Sequence, residues 1–176
     1  MRLVLSAAVA ALLCLGCEEK VKPSVLSDVV TDKFPSQESW NSTITFSDSG
    51  IVRAIVSANH IYSYDNSSVT HLEHNVVVDF FNSEGEHTTK LTSEKASVDE
   101  KTNNLEAVGN VVVTSDSGTV VRSDRMYWDN ARQLIHSPDF VTITSPTQEL
   151  QGTGFESDHN LTNYRIFKVT GKAESK

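Results

Sequence analysis

Hydrophobic and polar residues alternate with a period of two along most of the chain after Trp40. In the segment 41–46, for example, Ile44 and Phe46 share one side. Clusters of Asp, Asn, Ser and Gly interrupt the alternation at several points, and no segment has a helical period. Together these features predict an all-β domain with many short strands, either a sandwich, a roll or a barrel. The clusters that predict turns lie at 48–50, 65–68, 82–85, 115–118, 145–146 and 158–160.

One short sequence unit occurs twice between residues 93 and 144. Ser93–Asp99 aligns with Ser123–Asp129, and Asn110–Thr114 aligns with Phe140–Thr144, each at an offset of 30. A fainter copy at an offset of 35 aligns Asn75–Val78 with the strand that begins at Asn110. Repeats of this length indicate stacked supersecondary units that bury their apolar faces against one another.

The repeat also predicts which face of each strand is buried. Between residues 141 and 144 the polar Thr142 and Thr144 mark the outer face, and the same register can be transferred to the more uniformly apolar copies. Val77, Phe81 and Val112 remain apolar on the opposite face. A packed sandwich core and an open apolar groove able to hold acyl chains both fit this pattern. The residues predicted to face inward are Val76, Val78, Phe80, Val111, Val113, Met126, Trp128, Val141 and Ile143.

The N-terminus reads as an export signal. Arg2 precedes an apolar run of about 13 residues, whereas a bilayer span needs roughly 20. Cys17 follows a glycine in the manner of a bacterial lipoprotein processing site, so we expect a signal peptide over 1–16, lipidation of Cys17 and a flexible tether over 17–39. An uncleaved anchor or an ordinary signal are the alternatives. Both cysteines lie in this segment, so the predicted domain over 40–170, followed by a tail over 171–176, has no disulfide.

Composition excludes some classes of function. The 176 residues suffice for one domain, and the formal net charge of −8 argues against nucleic acid, whose phosphates attract basic surfaces. His71 and His74 flank Glu73, but no strand signal brings a third ligand to them, so no metal site is predicted. The carboxylates Asp124 and Asp129 recur in the earlier copy as Glu94 and Asp99, which favours a structural role.

Motifs for nucleophilic or phosphate chemistry are missing from the sequence as well. Gly109, just before an apolar strand, indicates a bend or bulge rather than a binding loop. We therefore predict no catalytic residues and no cofactor.

These residues resemble a known family. The run Asn104–Val113, then Val121–Asp124 and Tyr127, and finally Leu150–Phe155 with Asn163-Tyr164, resemble LptC, the periplasmic component of lipopolysaccharide export. The related LptA and the N-terminal part of LptD share the same OstA-like repeat. The resemblance covers about residues 40–170, and chain length, a single domain and the anchored N-terminus favour LptC among the three.

The resemblance implies a twisted antiparallel β-jelly roll with two sheets and an open groove, and a function that is not enzymatic. An anchored relay domain of this kind takes lipopolysaccharide from an inner-membrane ABC transporter and passes it to an LptA-like periplasmic bridge by edge-strand pairing. The nine inward residues would form the lipid-binding groove. Ile44 and Phe46 would lie on the edge toward the transporter, and Ile166 and Val169 on the edge toward the bridge.

Familiar members of that family keep an uncleaved transmembrane helix, whereas this chain carries a lipoprotein-like signal. We expect the domain at the periplasmic face of the inner membrane, held there through lipidated Cys17, with the outer membrane as the alternative. A soluble LptA-like bridge domain and a surface β-sandwich lipoprotein with a scaffold role are the alternative functions.

Overall fold

A computed structural model describes residues 34–174, and all regular secondary structure in that range is β. The predicted all-β, antiparallel class is confirmed. The leader and Cys17 lie outside the described residues. No helix within 34–174 has the length and apolarity to cross a membrane. The strands are β1 (Gln37–Asp48), β2 (Ile51–Ser63), β3 (Val69–Phe81), β4 (His87–Asp99), β5 (Asn104–Ser115), β6 (Val120–Asp129), β7 (Leu134–Thr144), β8 (Gln148–Asp158) and β9 (Tyr164–Glu174).

All nine strands belong to one sheet whose spatial order is the chain order, β1 through β9. Each strand pairs antiparallel with its neighbours in the chain, and β1 and β9 are the two edges. The expectation of two separate sheets is thus corrected, because hydrogen bonding is continuous from one edge to the other. The turns alternate between two ends, which we call end 1 (48–51, 81–87, 115–120 and 144–148) and end 2 (63–69, 99–104, 129–134 and 158–164).

A line of irregularities crosses the middle of the sheet. From the β2–β3 pair to the β7–β8 pair, every ladder changes register near its centre. In β3 the backbone there is left-handed at His74 and Asn75, and in β5 at Gly109 and Asn110. The predicted bulge at Gly109 is confirmed. Because bulges bend a strand and increase its twist, this bend line folds the sheet across all of these strands.

Folding along the bend line makes two layers out of one sheet. Phe80 of β3 lies near end 1 and Trp128 of β6 near end 2, and two strands separate β3 from β6, yet their ring centroids are 5.0 Å apart. The hydroxyl of Thr89, also near end 1, donates a hydrogen bond to the carbonyl of His159 in an end-2 turn. The end-1 halves of the early strands therefore cover the end-2 halves of later ones.

The core lies between these two layers. The bulged strands keep their apolar residues on one face on both sides of the bend line, so the interior is continuous. Val77, Phe81 and Val112 lie half-buried on the outer face. The buried apolar residues are Val56, Ala58, Ile61, Leu72, Val76, Val78, Phe80, Leu91, Ala96, Val98, Leu105, Ala107, Val111, Val113, Val121, Met126, Trp128, Ile135, Val141, Ile143, Phe155 and Leu161.

The sequence repeat corresponds to one step of two strands. The first copy covers the second half of β4 and then β5, and the second copy covers the second half of β6 and then β7. The strands are 10 to 13 residues long, longer than the segments the alternation indicated. They run through the bulges, where the alternation changes phase.

Candidate functional site

A cavity of about 560 Å³ opens between the two layers. Its floor is apolar and combines end-1 residues of the first strands with end-2 residues of later strands. Its mouth is polar. We call the apolar lining residues, which are mostly buried, the floor, and the polar lining residues, which are more exposed, the mouth. The floor includes Phe46, Val56, Val78, Phe80, Leu105 and Trp128, and the mouth includes Asp48, Arg53, Asn103, Asn130, Gln133 and His159. An apolar floor with a few polar groups at the rim is the usual construction of a site for an amphiphilic ligand.

The structure brings all nine inward-predicted residues to the inner face of the sheet. Val78, Phe80 and Trp128 line the cavity itself. The other six are packed in the adjoining core, with at most 1% exposure: Val76, Val111, Val113, Met126, Val141 and Ile143. The preformed space is therefore one end of a longer apolar interior that side chains otherwise fill.

The volume sets a limit on what enters without rearrangement. Sites for small molecules measure about 300–1,000 Å³, so this cavity already suits one small amphiphile or part of a larger one. A lipid with several acyl chains needs the layers to separate further. No strand pairing joins β1 to β9, so the layers are held together by side-chain packing and by isolated contacts such as Thr89 to His159. Separation would leave every hydrogen-bonded ladder intact.

The β8–β9 turn closes end 2 beside the cavity. Leu161 of this turn is 1% exposed and inserts into the core although its backbone is left-handed. The carboxylate of Asp158 accepts hydrogen bonds from the backbone N–H groups of Thr162 and Asn163, which fixes the turn. His159 lies edge-on to Trp128, with ring centroids 6.5 Å apart.

The protonation of His159 is controlled by its position. Burial lowers the pKa of its imidazole below the usual value, and the positive charge of Arg53 acts in the same direction against the opposing effect of Asp158. Its Nε2 atom is buried and has no hydrogen-bond partner in the described part of the chain. A neutral ring is thus the form that this site favours.

The two edge strands carry the predicted partner residues. Ile44 and Phe46 of β1 and Ile166 of β9 are half-buried and pack against the core. Val169 is 58% exposed and its neighbour Phe167 is 57% exposed. Among the described residues, each edge strand has a ladder on one side only. Such an edge offers unpaired N–H and C=O groups to an incoming strand.

The residues considered from the sequence as metal ligands or acid–base groups lie in stacking contacts, turns or exposed positions. His71 stacks on Tyr62 at 5.2 Å, and His74 is exposed in the β3 bulge. Among the described residues, no group of three or more His, Cys, Asp or Glu side chains is placed to hold a metal ion. Asp99 accepts hydrogen bonds from the backbone N–H groups of Thr102 and Lys101 in a turn, which lower the pKa of its carboxyl.

The remaining carboxylates of the repeat also have structural or surface positions. Asp129 occupies the turn position that corresponds to Asp99 and accepts a hydrogen bond from the backbone N–H of Arg132. Glu94 binds the side chain of Asn110, and Asp124 is exposed.

Sequence reasoning missed the polar mouth. Arg53 lies one position from the inward Ala54, so simple alternation places it outside, and His159 belongs to a turn signal that gives no hint of burial. The β-bulge that changes the position of Arg53 has no marker in the sequence.

Comparison with known proteins identifies the family. The sequence matches the family described as "Lipopolysaccharide-assembly, LptC-related" over residues 3–173, nearly its whole length. This chain belongs to the LptC-related family. A search of curated proteins found no match.

Solved structures similar to this LptC-related protein include LptH, described as the LptA homologous periplasmic component of the lipopolysaccharide transport device of Pseudomonas aeruginosa. The TM-score is 0.54 at 16% sequence identity, and the match covers 67% of this chain and 84% of the LptH chain. At that identity the likeness shows a shared fold. The LptC and LptA proteins are periplasmic components of lipopolysaccharide transport and are not known enzymes.

Proposed function

We propose that this LptC-related protein is an anchored periplasmic relay domain. It takes lipopolysaccharide from the inner-membrane ABC transporter and passes it to an LptA-like periplasmic bridge. The observation that supports this most directly is the cavity, which is open at a polar mouth and continuous with an apolar interior. It lies inside a sheet whose two edges are unpaired within residues 34–174.

The interior suits acyl chains for an energetic reason. Each methylene that leaves water for an apolar site contributes about 0.8 kcal/mol, so chains bound between the layers gain from every carbon that they bury. The side chains that fill the core make the same kind of contact with one another. Replacing contacts between core side chains by contacts with acyl chains therefore has a small net cost in free energy. A relay needs this small difference in order to release its cargo again.

The free edges suit partners of the same fold. We assign β1, with Ile44 and Phe46, to the transporter side and β9, with Ile166 and Val169, to the bridge side. A strand added to either edge would continue the ladder and extend the apolar interior into the partner. The domain is longer than the expected 40–170, because β1 begins at Gln37 and β9 ends at Glu174. The segment before β1 then connects it to lipidated Cys17, which holds it at the periplasmic face of the inner membrane.

Photo-crosslinking in cells tests the lipid path. A photoreactive amino acid replaces Val78, Phe80 or Trp128 at the cavity floor, and Thr142 or Thr144 on the outer face serves as the matched control. We expect lipopolysaccharide to be captured at the floor positions only, and in larger amounts when the transporter hydrolyses ATP. Capture confined to Thr142 and Thr144 would contradict the proposed path.

The anchor is tested separately. Metabolic labelling with an acyl-chain probe should mark the wild-type protein and not a Cys17→Ala variant, and osmotic shock should release only the variant. A labelled protein that co-purifies with the transporter subunits supports the relay. An unlabelled protein that osmotic shock releases would favour the LptA-like bridge function, which the shared fold with LptH makes the next candidate.

A further inference from the structure

Arg53 is aimed at the cavity by an irregularity in the first hairpin. In the β1–β2 ladder Phe46 pairs with Ala54 and Ser47 pairs with Val52, so Arg53 is the extra residue of a β-bulge. Regular alternation would send its side chain to the opposite face from Ala54. Because a bulge redirects the side chain of the extra residue, Arg53 lines the same cavity mouth as Ala54.

The guanidinium of Arg53 has no carboxylate partner among the described residues. Arg125, Arg132 and Arg165 each form ion pairs with acidic side chains, whereas Arg53 forms none within 4.0 Å. Asp48 lines the same mouth, and its carboxylate accepts a hydrogen bond from the Ser49 hydroxyl instead. A half-buried cation beside an apolar cavity is thus left with unused hydrogen-bond donors.

Amide side chains complete the polar mouth. Asn103 and Asn130, from two end-2 turns, and Gln133 line the same cavity as Arg53. The side-chain nitrogen of Gln133 donates to the backbone carbonyl of Asn130, so this part of the rim is held in place. Amides and a guanidinium are the groups that bind phosphate and hydroxyl oxygens, and a guanidinium does so with two parallel hydrogen bonds.

We propose that Arg53 binds a phosphate on the head of an amphiphile whose acyl chains enter the cavity, with the amides of Asn103 and Asn130 binding neighbouring polar atoms of the same head. This assignment rests on the proposed function and adds to it an orientation for the cargo. The head lies at the mouth between the β1–β2 hairpin and the end-2 turns, and the chains point toward Phe80 and Trp128.

The test measures binding of phosphorylated lipid A and of the same lipid after removal of its phosphates. The full-length protein, held in nanodiscs, is titrated with each lipid by thermophoresis. The wild-type protein should prefer the phosphorylated lipid by about tenfold, the factor expected for one charge-assisted interaction. The preference should shrink in high salt, because this site is partly open to solvent.

Variants locate the preference at Arg53. Arg53→Gln should weaken binding of the phosphorylated lipid about tenfold and change binding of the dephosphorylated lipid by less than about twofold. The matched control is Arg122→Gln, since Arg122 is exposed on the outer face of β6 and also has no ion pair among the described residues. It should leave both affinities unchanged. Millimolar inorganic phosphate should displace neither lipid, and full displacement would show that free phosphate is the true ligand.

The possible outcomes separate the two proposals. If the wild-type protein binds neither lipid, the proposed transport function fails, and the assignment of Arg53 fails with it. If it binds both lipids equally, or if Arg53→Gln weakens both to the same extent, lipid binding stands and the phosphate assignment is overturned. The comparison of two lipids on the wild-type protein gives a result even if the Arg53 variant folds poorly.

Discussion

Among the described glycines, Gly152 of β8 is the one where an added Cβ would meet the closest neighbouring atoms. An added Cβ would overlap the backbone carbonyl oxygen of Lys168 and lie 2.5 Å from Cγ2 of Ile166, both on the edge strand β9. Carbon atoms in contact are about 3.5–4.0 Å apart, so Ile166 has to move by about 1 Å or more. The backbone of Lys168 has to move as well, because a carbonyl oxygen cannot rotate out of the way. Gly152→Ala therefore pushes β9 away from β8.

The cost follows from what that movement breaks. Overpacking of a filled site costs about 1–3 kcal/mol. The β8–β9 ladder pairs Gly152 with Val169 and Thr153 with Lys168, and loss of one or two hydrogen bonds there adds about 1 kcal/mol each. We expect the free energy of unfolding to fall by about 3–4 kcal/mol, which corresponds to roughly 10 °C in Tm for a domain of this size.

The measurements are urea unfolding and amide hydrogen exchange. Gly171→Ala is the matched control, because Gly171 lies in the same ladder opposite Gln151 and its added Cβ would meet only side-chain atoms of Gln151, at 3.6 and 3.7 Å. That variant should stay within about 0.5 kcal/mol of wild type. In Gly152→Ala, the β9 amides should exchange faster while those of β5 stay protected. If both variants are equally stable, β9 is not packed against Gly152 as described.

Three further predictions concern the bend line, the inner face and the β8–β9 turn that contains His159. Gly109→Ala should be less stable than Gly50→Ala by about 1 kcal/mol in urea unfolding. Both glycines have a left-handed backbone, but only at Gly109 would an added Cβ meet another side chain closely, with Oε2 of Glu94 at 2.7 Å. Equal losses of stability would mean that the Glu94 side chain moves aside freely. Val113→Asp should lower the free energy of unfolding by more than about 3 kcal/mol, because it buries an unpaired charge. Val112→Asp, on the outer face, should lower it by less than about 1 kcal/mol. Similar Tm values for the two variants would contradict the assigned inner face. The pKa of His159 is lowered in the folded state, so the unfolded state binds more protons below about pH 6.5. The free energy of unfolding should therefore fall as the pH drops from about 7 to 5, and it should fall less steeply in His159→Gln. Parallel pH profiles for the two proteins would assign the loss of stability to other groups.

Local patterns predicted the strands, turns and buried face. Residues such as Val141 and Thr142 alternate, and their repeat partners follow the same register, so the inner face could be assigned before any long-range contact was known. Turn residues such as Ser49-Gly50 adopt the left-handed backbone that turns require, which is a property of a few neighbouring residues. Local information was sufficient for these features.

The bulges limited what could be predicted beyond that. In β4 the polar run Ser93–Lys95 looks like a break between two short strands, but Ser93 and Ala96 both face inward across a bulge, and the strand continues. A bend of this kind decides whether the chain makes two sheets or one folded sheet, and its angle depends on packing between layers. The size and lining of the cavity depend on these bends, and the position of Arg53 depends on a separate bulge in the β1–β2 ladder, so neither could be predicted from the sequence.

The pairing of every strand with its neighbour in the chain has a consequence for how such a protein changes in length. Each 30-residue repeat contributes two antiparallel strands to the sheet. After two such strands the chain is back at the end of the sheet from which it started. Duplication or loss of one hairpin would therefore lengthen or shorten the roll by two strands while both terminal strands keep their direction. Families built in this way could vary the length of their conduit in steps of one hairpin and still present the same two docking surfaces.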